Sequence, residues 1–241
     1  DVLDFMQKNY DTNEIVIAIG GNYSLAQVER LGNKIFGKLK SNTRAKQDKV
    51  SFENVSQQIV IEKPINQAHY MLGVKTFGIY DERKTAMLLL NNMLGGFGMS
   101  SILNLGIREK YGIAYTIESN FTMYTDTGHF NIYLGTDEEK LKKAVSLVFK
   151  ELNKLKQAPI SAYQLKQAKQ KFKGQIALAE ESRMSMIIAE AKNLIDYGKV
   201  IPLQDVFDKI DAVTTEDILD LSQTFFDESK LTSLSFVPEE E

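Results

Sequence analysis

Apolar and polar side chains alternate over residues 68–77, with Tyr70, Leu72 and Val74 on one side and His69 and Lys75 on the other. The same period of two returns over 128–135, where Phe130, Ile132 and Leu134 oppose His129, Asn131 and Tyr133. Strict alternation of this kind marks strands with one face in a core and one face open. Further strands are predicted over 57–62, 113–124 and 231–236, and another, rich in β-branched residues, over 14–19. Between them the apolar spacing is helical. It predicts the end of a helix over 1–10, then helices over 25–39, 82–94, 100–110, from Thr136 to about 156, 161–197 with a weak point at Gly174, 203–210 and 215–226. Ser24 with Gln27 and Thr136 with Glu139 have capping-box spacing, and Pro159, Ser161 and Gln164 announce the long helix. Strand, strand, helix, helix, strand, strand, helices, strand is an α+β order. It predicts a largely antiparallel sheet with helices packed on one face, the polar positions of the other face being free to meet a partner.

One stretch departs from these simple periods. Gly95, Gly96 and Gly98 fall within four residues, so the backbone there can take positive φ and lie against another backbone. Ser100 and Ser101 then open a helix with Arg108 and Lys110 in its last turn, where the helix dipole favours cations, and Gly112 is the predicted stop. From the residues alone Arg108 reads as a helix-end cation. Tyr115 falls by alternation with Ile113, Ile117 and Phe121, which reads as core.

The chain also repeats itself. Asp217-Ile218-Leu219-Asp220 with Gln223, Phe226, Asp227 and Leu231 matches Asp1-Val2-Leu3-Asp4 with Gln7, Tyr10, Asp11 and Ile15 at a constant offset. This fits a protein of two related halves. Residues 1–42 then read as a helix-strand-helix remnant of a preceding half, 43–52 as a polar and basic linker, and 53–241 as most of a second half. Asp1 begins inside a helix pattern, so sequence upstream of it is expected.

Composition narrows the classes. A chain of 241 residues buries roughly 70 to 75 per cent of its unfolded surface, enough for one or two domains. A net charge of −3 leaves no electrostatic footprint for nucleic acid, and no apolar run nears the roughly 18 residues that span a bilayer. Neither nucleic acid nor membrane is expected as a partner. With no cysteine, disulfides and thiolate sites are excluded within this segment. His69 and His129 are the only histidines, 60 positions apart and without an H-x-x-E-H helix, so no catalytic zinc site is expected here. Gly96-x-Gly98 follows a helix instead of a strand and has Ser101 where a dinucleotide fingerprint needs its third glycine. A helix-helix turn is the simpler reading. Glu180, Glu181 and Arg183, and the run Lys166, Lys169, Lys171 and Lys173, read as a solvated helix face, and Glu109 as structural.

Leu94-Gly95-Gly96, Met99-Ser100-Ser101, Arg108-Glu109-Lys110-Tyr111-Gly112-Ile113-Ala114-Tyr115 and Asp126-Thr127-Gly128 resemble the second, non-zinc half of pitrilysin/insulinase-type zinc metallopeptidases. The likeness is nearest to the shorter bacterial and mitochondrial-processing-peptidase-like members and covers about 57–237. It implies a metallopeptidase half-domain of α/β roll type, one of two halves that close like a clam shell. The zinc would lie in the partner N-terminal half, of the same chain or of a partner subunit, and residues 1–42 would be that half's tail. This half would bind an extended peptide, which would add as a strand, and complete the chamber without activity of its own. By the same resemblance Arg108 and Tyr115 reach the scissile peptide, and the loop of Gly95, Gly96 and Gly98 stands near the chamber mouth. Two alternatives stay open, a non-catalytic regulatory or scaffold subunit of the same family and a free-standing binding module; among partners, a second copy of the chain also stays open. Both a cytoplasmic and a periplasmic location are compatible with the sequence.

Overall fold

A computed structural model describes residues 1–43 and 56–239; most of the expected linker lies outside the described residues. The chain divides into two compact units, one of Asp1–Val50 with Gly174–Val206 and one of Ser51–Lys173 with Phe207–Glu241.

The larger unit is built on five strands, β1 (Gln58–Lys63), β2 (Ala68–Thr76), β3 (Thr116–Met123), β4 (Gly128–Thr136) and β5 (Thr232–Pro238). Their order is β1-β5-β2-β4-β3, antiparallel except for the parallel pair β1 and β5. The alternation read from the sequence is obeyed. Tyr70, Leu72 and Val74 of β2, Ile117 of β3 and Phe130, Ile132 and Leu134 of β4 are all buried on one face. Against that face pack α3 (Lys84–Leu94), α4 (Glu138–Gln157) and, after α7 (Leu203–Ala212), α8 (Thr215–Phe225), through Met87, Leu90, Val148, Leu152, Ile218 and Leu221. Burying each such side chain stabilises by about 1.5–3 kcal/mol, which fixes the register, since a slip of one residue would turn every core side chain outward. On the open face the pairings set His69 opposite Gly135, Met71 opposite Tyr133 and Lys75 opposite His129.

α5 (Ala162–Glu180) and α6 (Arg183–Tyr197) replace the single helix expected over 161–197. Gly174 does not interrupt α5. The break falls at Glu181 and Ser182, where the Ser182 hydroxyl accepts from the Ser185 N–H (3.3 Å) and starts a new helix. The proposed capping boxes divide. Ser24 and Gln27 cap α2 (Leu25–Phe36) reciprocally, and Ser161 and Gln164 do the same for α5. Thr136 does not cap α4; its buried hydroxyl donates to the Ile113 carbonyl, and Asp137 takes the cap position.

In the smaller unit α1 (Val2–Asn9), α2 and α6 bury no residue fully. Asn42 holds the end of α1 by donating to the carbonyls of Gln7 (2.8 Å) and Tyr10 (2.6 Å). The internal repeat is repeated in structure. Asp11 accepts from the Asn13 N–H (2.9 Å) and begins the 3₁₀ turn Thr12–Glu14, as Asp227 accepts from the Ser229 N–H (3.0 Å) and begins the turn Glu228–Lys230. After its turn the second copy becomes β5, in the middle of a sheet. The first does not become the strand expected over 14–19, because residues 15–19 find no ladder partner among the described residues. Ile15, Ile17 and Ile19 are left 47%, 47% and 40% exposed.

Candidate functional site

β3 is an edge strand, and its outer edge is where the glycine-rich turn arrives. The Ser119 N–H donates to the Gly95 carbonyl (3.0 Å) and the Ser119 hydroxyl to the Asn91 carbonyl (3.1 Å). A Cβ on residue 95 would stand 2.5 Å from the Ser119 nitrogen, closer than real Cβ contacts come, so only glycine lets the two backbones meet. The buried Asn104 amide covers the next position, donating to the Ile117 carbonyl (3.2 Å) and to the Ser101 hydroxyl (2.9 Å). With both groups engaged, a peptide cannot add as a strand along this part of β3, which removes one edge from the expected binding mode.

The helix that carries Arg108 is not a plain α-helix. Asn104–Glu109 is wound as a π-helix, a form concentrated at functional sites. It ends as the sequence predicts, with Gly112 at φ +61° and its N–H on the Arg108 carbonyl (2.9 Å). Arg108, half-buried, then lines a cavity of about 360 Å³ together with Gly95, Gly96, Gly98 and the β3 residues Thr116, Glu118 and Asn120.

Tyr115 does not line that cavity. Its neighbour Thr116 does. Nor is Tyr115 in the core: its side chain is 52% exposed, while Ile113, Ala114 and Ile117 around it are buried. Alternation fails here because β3 begins only at Thr116, so residue 115 belongs to the approach and not to the pleat. Two ties fix that approach on the end of β4, the Tyr115 N–H donating to the Gly135 carbonyl (2.9 Å) and the Thr136 hydroxyl donating to the Ile113 carbonyl.

The Tyr115 hydroxyl donates to Asp137 Oδ1 (2.7 Å), and Lys140 Nζ donates to Asp137 Oδ2 (2.6 Å). The Asp137 carboxylate holds the phenol above the ordinary tyrosine range. Lys140 first and Tyr115 second hold Asp137 below the usual carboxylate range, and Asp137 in turn raises Lys140. Asp137 stands at the N-cap of α4 and makes no cap hydrogen bond. A side chain at that position ordinarily caps the helix, so its commitment to Tyr115 and Lys140 is made at the expense of the helix. Sequence reading missed Asp137. The available signal was its adjacency to Thr136, with two candidate caps for one helix.

Neither histidine fits a catalytic zinc. His69 Nδ1 shares a hydrogen bond with the Tyr133 hydroxyl (2.7 Å), His129 lies against Tyr124, and six residues of the β2–β4 ladder, about 20 Å at strand spacing, separate them. Among the described residues no group of three or more His, Asp or Glu is placed to hold a metal ion. The lysine run of α5 is not a uniform solvated face. Lys173 pairs with Asp211 (2.7 Å), Lys169 donates to the Asp211 carbonyl (2.8 Å), and Lys171 is shut in.

Residues 1–172 match the model of the family described as the peptidase M16 inactive domain. The chain belongs to this family. The M16 domain is 30% identical over 231 residues to an uncharacterized zinc protease of Bacillus subtilis, YmxG, covering 95% of this chain and 56% of that one. It is 27% identical over 221 residues to an uncharacterized zinc protease of Streptomyces coelicolor, covering 89% of this chain and 48% of the relative. The chain thus spans about half the length of the curated relatives it matches. Among solved structures, the crystal structure of a peptidase M16 inactive domain from Pseudomonas fluorescens superposes with a TM-score of 0.85 at 23% identity, over 99% of this chain and 57% of that one. A protease from Helicobacter pylori gives a TM-score of 0.74 at 20% identity, over 90% and 53%. Those two likenesses carry the fold, and the family match carries the membership.

Proposed function

We propose that this M16 domain is the non-zinc half of a zinc-dependent peptidase, and that it holds an extended peptide while a partner half cuts it. The observation that carries this reading is the cavity shared by Arg108 and the glycine-rich loop at the rim of the sheet. A guanidinium there can donate to peptide carbonyls, and hydrogen bonds from charged donors contribute about 1.5–3 kcal/mol. Tyr115 supplies the second contact. A phenol has one O–H to donate, now engaged by Asp137, so Tyr115 grips a carbonyl only by turning away from that carboxylate. On this reading zinc and the attacking water belong to the partner half, in keeping with the lack of a fitting donor set among the described residues of this domain. Residues 1–42 are the tail of that half, a reading supported by segment 15–19, which has no ladder partner among the described residues, and by its structural copy in β5. Peptide cleavage by the intact parent, assayed with and without a zinc chelator, tests the proposal. Chelator-sensitive cleavage supports it, and zinc-free protein with no cleavage would turn the reading to the scaffold alternative.

A further inference from the structure

The most distinctive unexplained group in the M16 domain is Lys171. Its Nζ is closed off from solvent and has no hydrogen-bond partner among the described residues, and burial alone pulls its pKa below the ordinary lysine range. It lies under the glycine-rich loop, 4.0 Å from where a Cβ on Gly98 would stand. An unpaired ammonium withdrawn from water is costly, and α5 could have carried an apolar residue there at no such cost.

Lys171 lines a cavity of about 710 Å³ between α5, α4 and the Arg108 helix. That volume is within the range of small-ligand sites. Its walls are largely apolar, with Met93, Ile102, Leu155 and Ile160 among them. Two other charged groups line it, and they neutralise each other: Lys154 Nζ donates to both Glu151 oxygens, at 2.6 and 2.9 Å. One positive charge is therefore left over among the lining residues. Ser100 adds a hydroxyl from the loop side. The cavity contains neither Arg108 nor Tyr115, so it is separate from the proposed peptide grip.

We infer that this cavity is a binding site for a single carboxylate carried on an apolar body, with Lys171 as its counter-ion once its flexible side chain turns Nζ from its closed-off position into the cavity. The chemistry is that of the C-terminal residue of a peptide with an apolar side chain, or of a small amphipathic acid. The apolar part displaces water from the walls, and the carboxylate satisfies the one charge the fold leaves unpaired.

Calorimetric titration of the 241-residue chain tests this with three probes: an N-acetylated pentapeptide ending in leucine as the free acid, the same peptide as its C-terminal amide, and octanoate. The acid is expected to bind at least about tenfold more tightly than the amide, the scale of one charge-assisted hydrogen bond. Lys171→Met should abolish that difference and raise the melting temperature, since it removes a buried unpaired cation; Lys171→Gln provides the same test should the methionine variant not fold. Octanoate binding that depends on Lys171 identifies a small acid as the ligand source, and binding of the peptide acid alone identifies a peptide C-terminus. Equal binding of acid and amide, discrimination that survives the loss of Lys171, or binding of none of the three probes would overturn the inference.

Discussion

Tyr115 and Asp137 are joined by a 2.7 Å hydrogen bond that engages the phenol's only O–H, so the residue proposed to grip a peptide carbonyl is held back by a neighbouring carboxylate. The bond predicts a spectroscopic signature. A carboxylate acceptor disfavours the phenolate, so Tyr115 ionises above the ordinary tyrosine range and Asp137→Asn brings it back down. The tyrosinate absorbance of the wild type minus that of Tyr115→Phe isolates this one phenol, and an unchanged titration in Asp137→Asn would show the contact to be absent in solution.

The same pair sets a direction with pH. Asp137 is lowered in the folded state, so its contribution is present above the ordinary carboxylate range and is lost as pH falls toward the lowered value. Tyr115 is raised, so its contribution is lost as pH rises from the ordinary tyrosine range toward the raised one. Unfolding midpoints of wild type and Asp137→Asn should converge at low pH and separate near neutrality. Parallel curves across the range would contradict the linkage.

Gly95 and Gly112 need glycine for different reasons, and their variants should differ accordingly. Gly95→Ala drives a Cβ into the Ser119 backbone and should destabilise by about 1–3 kcal/mol while loosening the β3 edge. Gly112 has open space around it, so Gly112→Ala meets only the left-handed backbone penalty of about 1–2 kcal/mol. Amide exchange at Ser119 separates the two: it should quicken in the first variant and not in the second.

Ile17 tests the assignment of residues 1–42. It lies 47% exposed in a segment without a ladder partner among the described residues. Ile17→Lys should change the stability of this chain by less than about 0.5 kcal/mol, as exposed substitutions do. In the intact parent the same change should be strongly destabilising. Equal, small effects in both would mean that no sheet takes up this segment.

What the sequence disclosed, and what it withheld, follows from the range of the interactions involved. The alternation within β2 and within β4, the caps at Ser24 and Ser161 and the stop at Gly112 depend on neighbours a few residues away, and all were legible. The α+β sheet followed from them. The π-helical winding of Asn104–Glu109 and the bond of the Asn104 amide to the Ile117 carbonyl on β3 are encoded by no local period. Thr136 has the spacing of a cap, but a buried carbonyl 23 positions upstream takes its hydroxyl, and the cap position passes to Asp137. Tyr115 looked like core only because the strand was begun three residues too early. Lys171 looked solvated beside three other lysines, and only tertiary structure, with the glycine-rich loop close to its Nζ, shuts it in.

The central claim is that Arg108 and Tyr115 act on a peptide and not on the fold. The most direct measurement is kcat/KM for a peptide substrate, alongside Tm, for Arg108→Ala and Tyr115→Phe in the intact parent protein. A lost transition-state donor typically costs about 100- to 1000-fold in rate, so the account predicts falls on that scale with Tm within a degree or two of wild type. Unchanged kcat/KM, or losses of activity matched by losses of Tm, would contradict it.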